Sequence, residues 1–93
     1  YDGTAANVTR KFGRVATVSY AIQEENEQIF AMYHYLNTTS IYVVAIVETS
    51  GGGGLPPAGS VIMPKYKANG ADQFDVKVLG SDSGDVIKFL IMG

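Results

Sequence analysis

Apolar residues recur at every second position over much of the chain, which is the spacing of β-strands rather than of helices. The stretch Val15–Ile22 (VATVSYAI) places its larger side chains on one face, and Asn7–Phe12 (NVTRKF) alternates in the same way. Gly13 and Arg14 lie between the two stretches. Because two alternating runs separated by a glycine-containing dipeptide are typical of a tight turn, the start of the chain is predicted to form a β-hairpin.

The central part of the chain is richer in apolar residues and alternates less. Ile29–Leu36 (IFAMYHYL) is aromatic, and Ile41–Thr49 (IYVVAIVET) is dense in β-branched residues, which pack well on a pleated surface. The second stretch predicts a strand that is buried on both faces or has one face against a partner chain. The acidic stretch Gln23–Gln28 predicts an exposed loop with at most one helical turn, and a helix over Gln23–Leu36 remains the alternative.

Glycine and proline residues interrupt the strand pattern in the next part of the chain. Ser50–Ser60 (SGGGGLPPAGS) predicts a loop, because four glycines lose much conformational entropy on ordering and Pro-Pro favours an extended conformation. Val61–Lys67 (VIMPKYK) predicts a strand, and Pro64, which lacks the N–H that a sheet ladder needs, indicates an edge strand or a bulge there. Ala68–Asp72 contains Asn-Gly and predicts a turn.

The end of the chain carries the clearest strand signal. Gln73–Met92 contains two β-favouring runs on either side of the turn cluster Gly80–Gly84, and it predicts a second hairpin. The last run, Val86–Met92, is mainly apolar, whereas loose termini tend to be polar, so an inner strand is predicted here. The residues expected to contribute most to stability in this region are Val76, Val78, Val86, Phe89 and Ile91.

These patterns amount to about seven short strands with turn signals between them. The chain is therefore predicted to be all-β, a small antiparallel β-sandwich or jelly-roll-like barrel. Its 93 residues suit a single domain over residues 1–93, and because it begins at Tyr1 rather than Met we expect a fragment of a longer chain. The core of so short a chain is thin and no cysteine is present, so self-association is the expected way to bury more surface.

Charge and hydropathy exclude two classes of partner. The net charge is −2 with a pI of about 5.1, whereas an electrostatic nucleic-acid binder would carry a basic stripe. Arg10, Lys11 and Arg14 do cluster at the first predicted turn, where a solvated hairpin tip is favoured over a phosphate site. The longest apolar run, Ile41–Val47, is far shorter than the roughly 20 residues of a membrane helix, so no membrane insertion is expected.

Catalytic and metal-binding motifs are not found in the sequence. His34 is the sole histidine, and one histidine without cysteines supports neither a multi-histidine metal site nor a catalytic triad. Asp82 and Asp85 lack the spacing of a calcium loop and are expected to form turn hydrogen bonds. The acidic residues within Gln23–Gln28 are expected to be solvated rather than opposed across a cleft. We therefore predict a protein that is not an enzyme and that needs no metal or cofactor.

Aromatic residues are the remaining candidates for binding. A tyrosine combines a flat apolar face with a polar hydroxyl, which suits protein interfaces and carbohydrate stacking, although core or edge packing is the alternative for any single tyrosine. His34 is a candidate for hydrogen bonding or stacking in a sugar site, with an ordinary buried strand histidine as the alternative. The tyrosines in or next to the central strands are Tyr33, Tyr35, Tyr42 and Tyr66.

The order of short motifs also resembles a known family. The stretch Asn7–Ser19 (NVTRKFGRVATVS) is similar to the opening hairpin of the C-terminal receptor-binding head domains of bacteriophage tail fibres and baseplate proteins. Leu55–Gly59 (LPPAG) resembles the Leu-Pro segment that precedes a later strand in that family, and a hairpin at the end of the chain also fits.

This resemblance implies a homotrimeric β-sandwich or jelly-roll head at the tip of a virion tail, which binds saccharides of the host surface. His34 and Asp72 are residue types that such sites use, and with Tyr33, Tyr35 and Tyr42 they form the predicted binding residues. Some related sites use tryptophan, which this chain lacks. The alternative is a structural module for decoration, baseplate or fibre assembly, without a ligand of its own.

Overall fold

A computed structural model of the chain describes residues 8–23, 26–51 and 54–93. Eight antiparallel strands and no helix occur in these ranges, so nothing there has the helical length and apolar character needed to span a membrane. In chain order the strands are β1 (Val8–Phe12), β2 (Val15–Ala21), β3 (Asn26–Tyr33), β4 (Tyr42–Thr49), β5 (Val61–Ile62), β6 (Lys65–Ala68), β7 (Gln73–Ser81) and β8 (Val86–Met92).

The strands form two sheets that pack face to face. One has five strands in the order β1-β2-β8-β4-β5, and the other has three in the order β3-β7-β6. All neighbours are antiparallel. The fold is therefore the small antiparallel β-sandwich that the alternation predicts.

The first hairpin is confirmed, because β1 and β2 pair on either side of the predicted turn. Phe12 lies opposite Val15, so the turn contains only Gly13 and Arg14. Gly13 has φ of +56°. A positive φ at the first of two turn residues is typical of a type II′ turn, whose twist matches that of the flanking strands. Asn7, which was predicted to begin the first strand, lies outside the described residues.

The helical alternative over Gln23–Leu36 is wrong. β3 begins at Asn26, inside the predicted loop, and pairs with β7 along its length. Phe30 and Met32 point into the core. Glutamate and glutamine have good intrinsic helix propensity, but inter-sheet burial and a full strand ladder outweigh so weak a preference. Residues 24 and 25 are outside the described ranges.

The predicted strand Val61–Lys67 is divided at Met63 and Pro64 into β5 and β6. β5 is an edge of the five-stranded sheet and β6 is an edge of the three-stranded sheet. The edge position predicted from Pro64 is thus confirmed, but the proline lies where the chain crosses between sheets. This division raises the strand number from about seven to eight.

β4 is half-buried rather than buried on both faces. Val43, Ala45 and Val47 point into the core, whereas Val44 and Ile46 are half-exposed on the outside. Its neighbours are β8 and β5. Local sequence could not distinguish the two faces because both are apolar, and only the position of the other sheet decides which face is inside.

The end of the chain differs most from expectation. Val86–Met92 is an inner strand, as predicted, because β8 lies between β2 and β4. It does not form a hairpin with β7, which belongs to the other sheet, so the connection is an arch between sheets. Val86 consequently lies half-exposed on the outside, and Ile87 takes the buried position.

Asp85 holds this arch together. Its buried carboxylate accepts hydrogen bonds from the backbone N–H groups of Gly51 (2.7 Å) and Asp82 (2.9 Å). Its backbone carbonyl accepts from Ile22 N–H at 2.7 Å. The expected turn hydrogen bonds are therefore present, and they also join the β4–β5 loop and the end of β2 to the arch.

Aromatic residues from both sheets meet in the core. Tyr20 of β2 stacks on Phe30 of β3 with ring centroids 4.0 Å apart. Phe89 of β8 contacts Phe30 edge-on at 5.9 Å and Phe74 of β7 at 6.4 Å. Such aromatic pairs contribute about 0.5–1.5 kcal/mol each beyond the burial of their area, so this cluster fixes how one sheet lies on the other.

Candidate functional site

A short crossing segment follows β3 and closes one end of the sandwich. Residues 34–41 lead from the three-stranded sheet to β4 in the five-stranded sheet. Two backbone hydrogen bonds hold the segment to the β6–β7 turn: His34 N–H donates to Asp72 O (2.9 Å), and Thr38 N–H donates to Ala71 O (2.6 Å). The predicted Asn-Gly turn and the aromatic end of β3 are therefore neighbours in space.

The backbone of this segment is strained at Tyr35. Tyr35 has φ of +57° and Asn37 has φ of +54°, and these are the two non-glycine residues with positive φ in the described ranges. Asparagine visits this region readily, whereas for tyrosine it costs about 1–2 kcal/mol. Lys11 Nζ donates a 2.9 Å hydrogen bond to Tyr35 O and helps to hold the residue in place. Strain of this kind clusters at binding sites, where the surrounding structure imposes it.

Tyr33 and Tyr35 form a stacked pair of solvent-exposed aromatic rings. Their ring centroids are 5.6 Å apart and the ring planes are inclined by only 13°. Tyr33 is 41% exposed and Tyr35 is 52% exposed, so a large part of each side chain is open to solvent. We call these two rings the tyrosine pair.

Asp72 links the crossing segment to the β6–β7 turn. Its Oδ1 accepts a 2.7 Å hydrogen bond from Asn37 N–H, and its backbone carbonyl accepts from His34. The residue is half-buried. A carboxylate in this position is held in one orientation by the backbone it binds, at the same end of the sandwich as the two rings.

His34 is completely buried beneath this surface. Its Nδ1 accepts a 2.9 Å hydrogen bond from Leu36 N–H, so the neutral ring carries its proton on Nε2. The buried Nε2 has no hydrogen-bond partner within the described part of the chain. The ring stacks on Phe74 with centroids 6.0 Å apart. Burial lowers the pKa of His34 below its usual value, and the negative charge of Asp72 opposes this shift.

Four of the five predicted binding residues are thus brought together, and one is not. Tyr33, Tyr35, His34 and Asp72 share one end of the sandwich, with His34 beneath the surface as a supporting residue. Tyr42 is 71% exposed on the outside of the five-stranded sheet and belongs to a different surface. Tyr66 is partly buried against the core, and its hydroxyl donates to Ile41 O at 3.4 Å.

Two residues of this region were not among the predicted binding residues. Asn37 donates to Asp72, and its position before Thr-Thr-Ser, with its tolerance of positive φ, was an available signal. Lys11 reaches Tyr35 from β1, 24 residues earlier in the chain, and no local pattern indicates such a contact. Arg14 of the same basic cluster donates through Nε to Gly93 O at 3.0 Å.

The groups that this arrangement exposes are two aromatic rings and one carboxylate. The tyrosine pair offers exposed aromatic area, and Asp72 offers a carboxylate whose Oδ1 accepts a backbone hydrogen bond. No group of three or more His, Cys, Asp or Glu side chains is placed to hold a metal ion in the ranges described. Comparison of the chain with protein families, curated proteins and solved structures finds no match.

Proposed function

We propose that this domain is a non-enzymatic binding module that recognises a saccharide at the tyrosine pair. The observation that carries the proposal is the parallel, half-exposed arrangement of Tyr33 and Tyr35. The C–H face of a pyranose ring is apolar, so it stacks on a flat aromatic surface while its hydroxyl groups remain available for hydrogen bonds.

Preorganisation supports the same function. The Lys11 hydrogen bond to Tyr35 O supports the strained backbone from which the Tyr35 ring extends, and this ring stacks on Tyr33 in the free chain. A rigid surface loses little conformational entropy on binding, which improves affinity without additional contacts. Asp72, held by Asn37 N–H, supplies an acceptor for saccharide hydroxyl groups at the same end of the sandwich.

The wider biological setting follows the family resemblance of Asn7–Ser19 and Leu55–Gly59. In our proposal the domain is the receptor-binding head of a phage tail fibre or baseplate protein, located at the tail tip of the virion. Its ligand is a saccharide of the host surface. Three copies in a homotrimer would raise a weak single-site affinity through effective concentration.

A second candidate, a structural assembly module, is favoured by the outer face of the five-stranded sheet. Cross-strand register places Phe12, Val15, Met92 and Tyr42 in one row across four strands. Phe12 is 87% exposed and Tyr42 is 71% exposed. The larger apolar residues of this face, which we call the outer apolar face, are Phe12, Val15, Tyr42, Val44, Ile46, Val61, Val86, Leu90 and Met92.

The charges around the outer apolar face suit a second copy of the same chain. Lys88 pairs with Glu48 at 3.6 Å, and Ser19 Oγ donates to the same carboxylate at 2.8 Å. Because Lys88 and Glu48 are paired within one copy, they would add little like-charge repulsion where copies of the chain pack through this face. Assembly through this face is compatible with saccharide binding, since the tyrosine pair lies elsewhere.

The saccharide proposal is tested with Tyr35→Gly. Glycine adopts φ of about +57° without strain, so this variant removes the ring and keeps the backbone path. A panel of bacterial-surface saccharides is first screened with the native chain. Affinity for each saccharide bound is then measured by NMR titration, and Tyr35→Gly is expected to weaken it about tenfold or more, a loss of about 1.4 kcal/mol.

Tyr42→Ala is the matched control, because it removes an exposed tyrosine from the other sheet. Its single-site affinity should equal that of the native chain. Equal losses in the two variants, or no binding by the native chain to any saccharide of the panel, would count against the tyrosine pair as the site.

A further inference from the structure

A cavity of about 300 Å³ opens at the side of the sandwich, where the chain crosses from β5 to β6. Its apolar wall includes buried Leu55 and Val78, and exposed Met63 and Leu79 lie at its rim. The cavity lies toward the far end of β7 from Gln73, which pairs with Tyr33, and so it is separate from the tyrosine pair. Its size is at the lower end of the range of small-molecule sites.

The strand arrangement explains why the cavity exists. β6 pairs with β7 only from Phe74 to Lys77, so the remainder of β7 has β3 on one side and no strand on the other among the described residues. At the far end Gly54 crosses closely over Gly80, where a Cβ on Gly54 would overlap the Gly80 backbone. The cavity occupies the space between the end of β6 and this crossing.

Two lysines with the same charge lie directly opposite each other at the cavity. Lys65 of β6 is the cross-strand partner of Lys77 of β7, and both line the cavity. Like charges in this position repel, whereas two residues further along Lys67 lies opposite Asp75, a residue of opposite charge. The like-charged pair of β6 and β7 therefore lies at the cavity, and the oppositely charged pair lies farther along β6.

One ion pair partly neutralises the positive charge of the two lysines. Lys77 Nζ lies 3.6 Å from Glu27 Oε1, but both side chains are more than a third exposed, and exposed pairs of this kind are weak. Lys65 has no ion-pair partner within the ranges described. An anion between the two ammonium groups would relieve their repulsion.

We propose that this cavity binds an organic anion with an apolar body, such as a medium-chain carboxylate. The apolar part lies against Leu55, Val78 and Leu79, and the anionic group lies between Lys65 and Lys77. This site goes beyond the saccharide function and does not depend on it, because the two sites share no residue.

The test is an NMR titration of the native chain with sodium octanoate, with 1-octanol as the uncharged probe of equal chain length. Octanoate is expected to shift the Met63 and Leu79 methyl signals saturably and to bind about tenfold more tightly than octanol. Raising the NaCl concentration from 0.05 to 0.5 M should weaken the binding of octanoate, because salt screens partly exposed charges. The binding of octanol should not change.

Three exposed substitutions separate the roles of the charges. Lys65→Gln should weaken octanoate binding about threefold or more, and Lys67→Gln on the same strand should leave it unchanged. Glu27→Gln removes the competitor for Lys77 and should strengthen octanoate binding by roughly twofold. Equal affinity for octanoate and octanol, equal effects of the two lysine substitutions, or shifts that miss Met63 and Leu79 would each overturn the proposal.

Discussion

Two polar side chains, His34 and Asp85, are buried within the described part of an otherwise apolar interior. Asp85 satisfies both carboxylate oxygens with backbone N–H groups. His34 satisfies Nδ1 alone and leaves Nε2 without a partner among the described residues. An unsatisfied buried donor costs about 1–3 kcal/mol, so the histidine is a point where stability responds to small chemical changes.

Acidification should destabilise the fold through His34. Its pKa is lowered in the folded state by burial, so the unfolded chain, with a pKa near 6.5, takes up the proton first as the pH falls. The contribution of His34 to the free energy of unfolding is therefore fully present above about pH 6.5. Below that pH it declines by at most about 1.4 kcal/mol per pH unit, until the pH reaches the pKa of His34 in the folded state. Urea unfolding at a series of pH values measures this slope.

His34→Asn is the control for this slope. Asparagine can accept the hydrogen bond from Leu36 N–H through Oδ1, and its side chain does not titrate. The free energy of unfolding of this variant should therefore depend less on pH than that of the native chain. His34→Phe fills the space but leaves the Leu36 N–H unpaired, and it should be less stable than His34→Asn near pH 7. An unchanged slope in His34→Asn would show that other groups cause the pH dependence.

At the scale of elements, β8 is the strand on which the sandwich depends most. It contacts β2 on one side and β4 on the other, and it contributes Ile87, Phe89 and Ile91 to the core. Its alternate residues Leu90 and Met92 belong to the outer apolar face. Adjacent residues of one strand thus face two different environments, although both are apolar in the sequence.

Ile91→Ala and Leu90→Ala test this division of faces with the same number of carbon atoms removed. Ile91→Ala leaves a cavity in the core and should lower the free energy of unfolding by about 2–5 kcal/mol. Leu90→Ala, on the half-exposed side, should lower it by less than half as much. Urea denaturation measures both. Equal losses would contradict the assignment of Leu90 to an open face.

At the scale of the whole molecule, the outer apolar face carries three of the large exposed apolar side chains, Phe12, Tyr42 and Val61. The chain is short and has no disulfide, so further burial between copies is the available way to enlarge its apolar contacts. A radius of gyration of 12.2 Å agrees with the value of about 12–13 Å expected for a compact domain of this length. Self-association would therefore add to a domain that is already folded.

Tyr42→Glu should prevent this association. Tyr42 is highly exposed, so a carboxylate there leaves the fold intact and introduces one unpaired charge per copy into the contact. Sedimentation velocity is expected to detect a trimer for the native chain at micromolar concentration and a monomer for the variant.

Ile29→Glu is the matched control, since Ile29 is 60% exposed on the opposite sheet. It should associate like the native chain. A native chain that is monomeric at micromolar concentration, or two variants with the same behaviour, would show that the outer apolar face does not mediate assembly.

Much of the fold could be predicted from the sequence, and less of the site. The alternation of apolar and polar residues predicted most of the strands, and Gly13 indicated the first turn. Both signals could be used because they depend only on residues close together in the chain. The separation of β7 and β8 into different sheets was missed, since the turn cluster of Gly80–Gly84 is compatible with a hairpin or an arch. The candidate residues Tyr33, Tyr35 and Asp72 were named for their chemistry, but their proximity depends on the β6–β7 turn.

By itself, the sequence determined a mainly β chain with an inner strand at its end, because apolar residues that repeat every second position form one buried face on a strand but are spread around a helix. Only the tertiary structure decided which apolar face of β4 and β8 is inside, that His34 is buried beneath the tyrosine pair, and that Lys65 meets Lys77. These outcomes depend on which distant strands become neighbours, and local side-chain patterns leave that choice open.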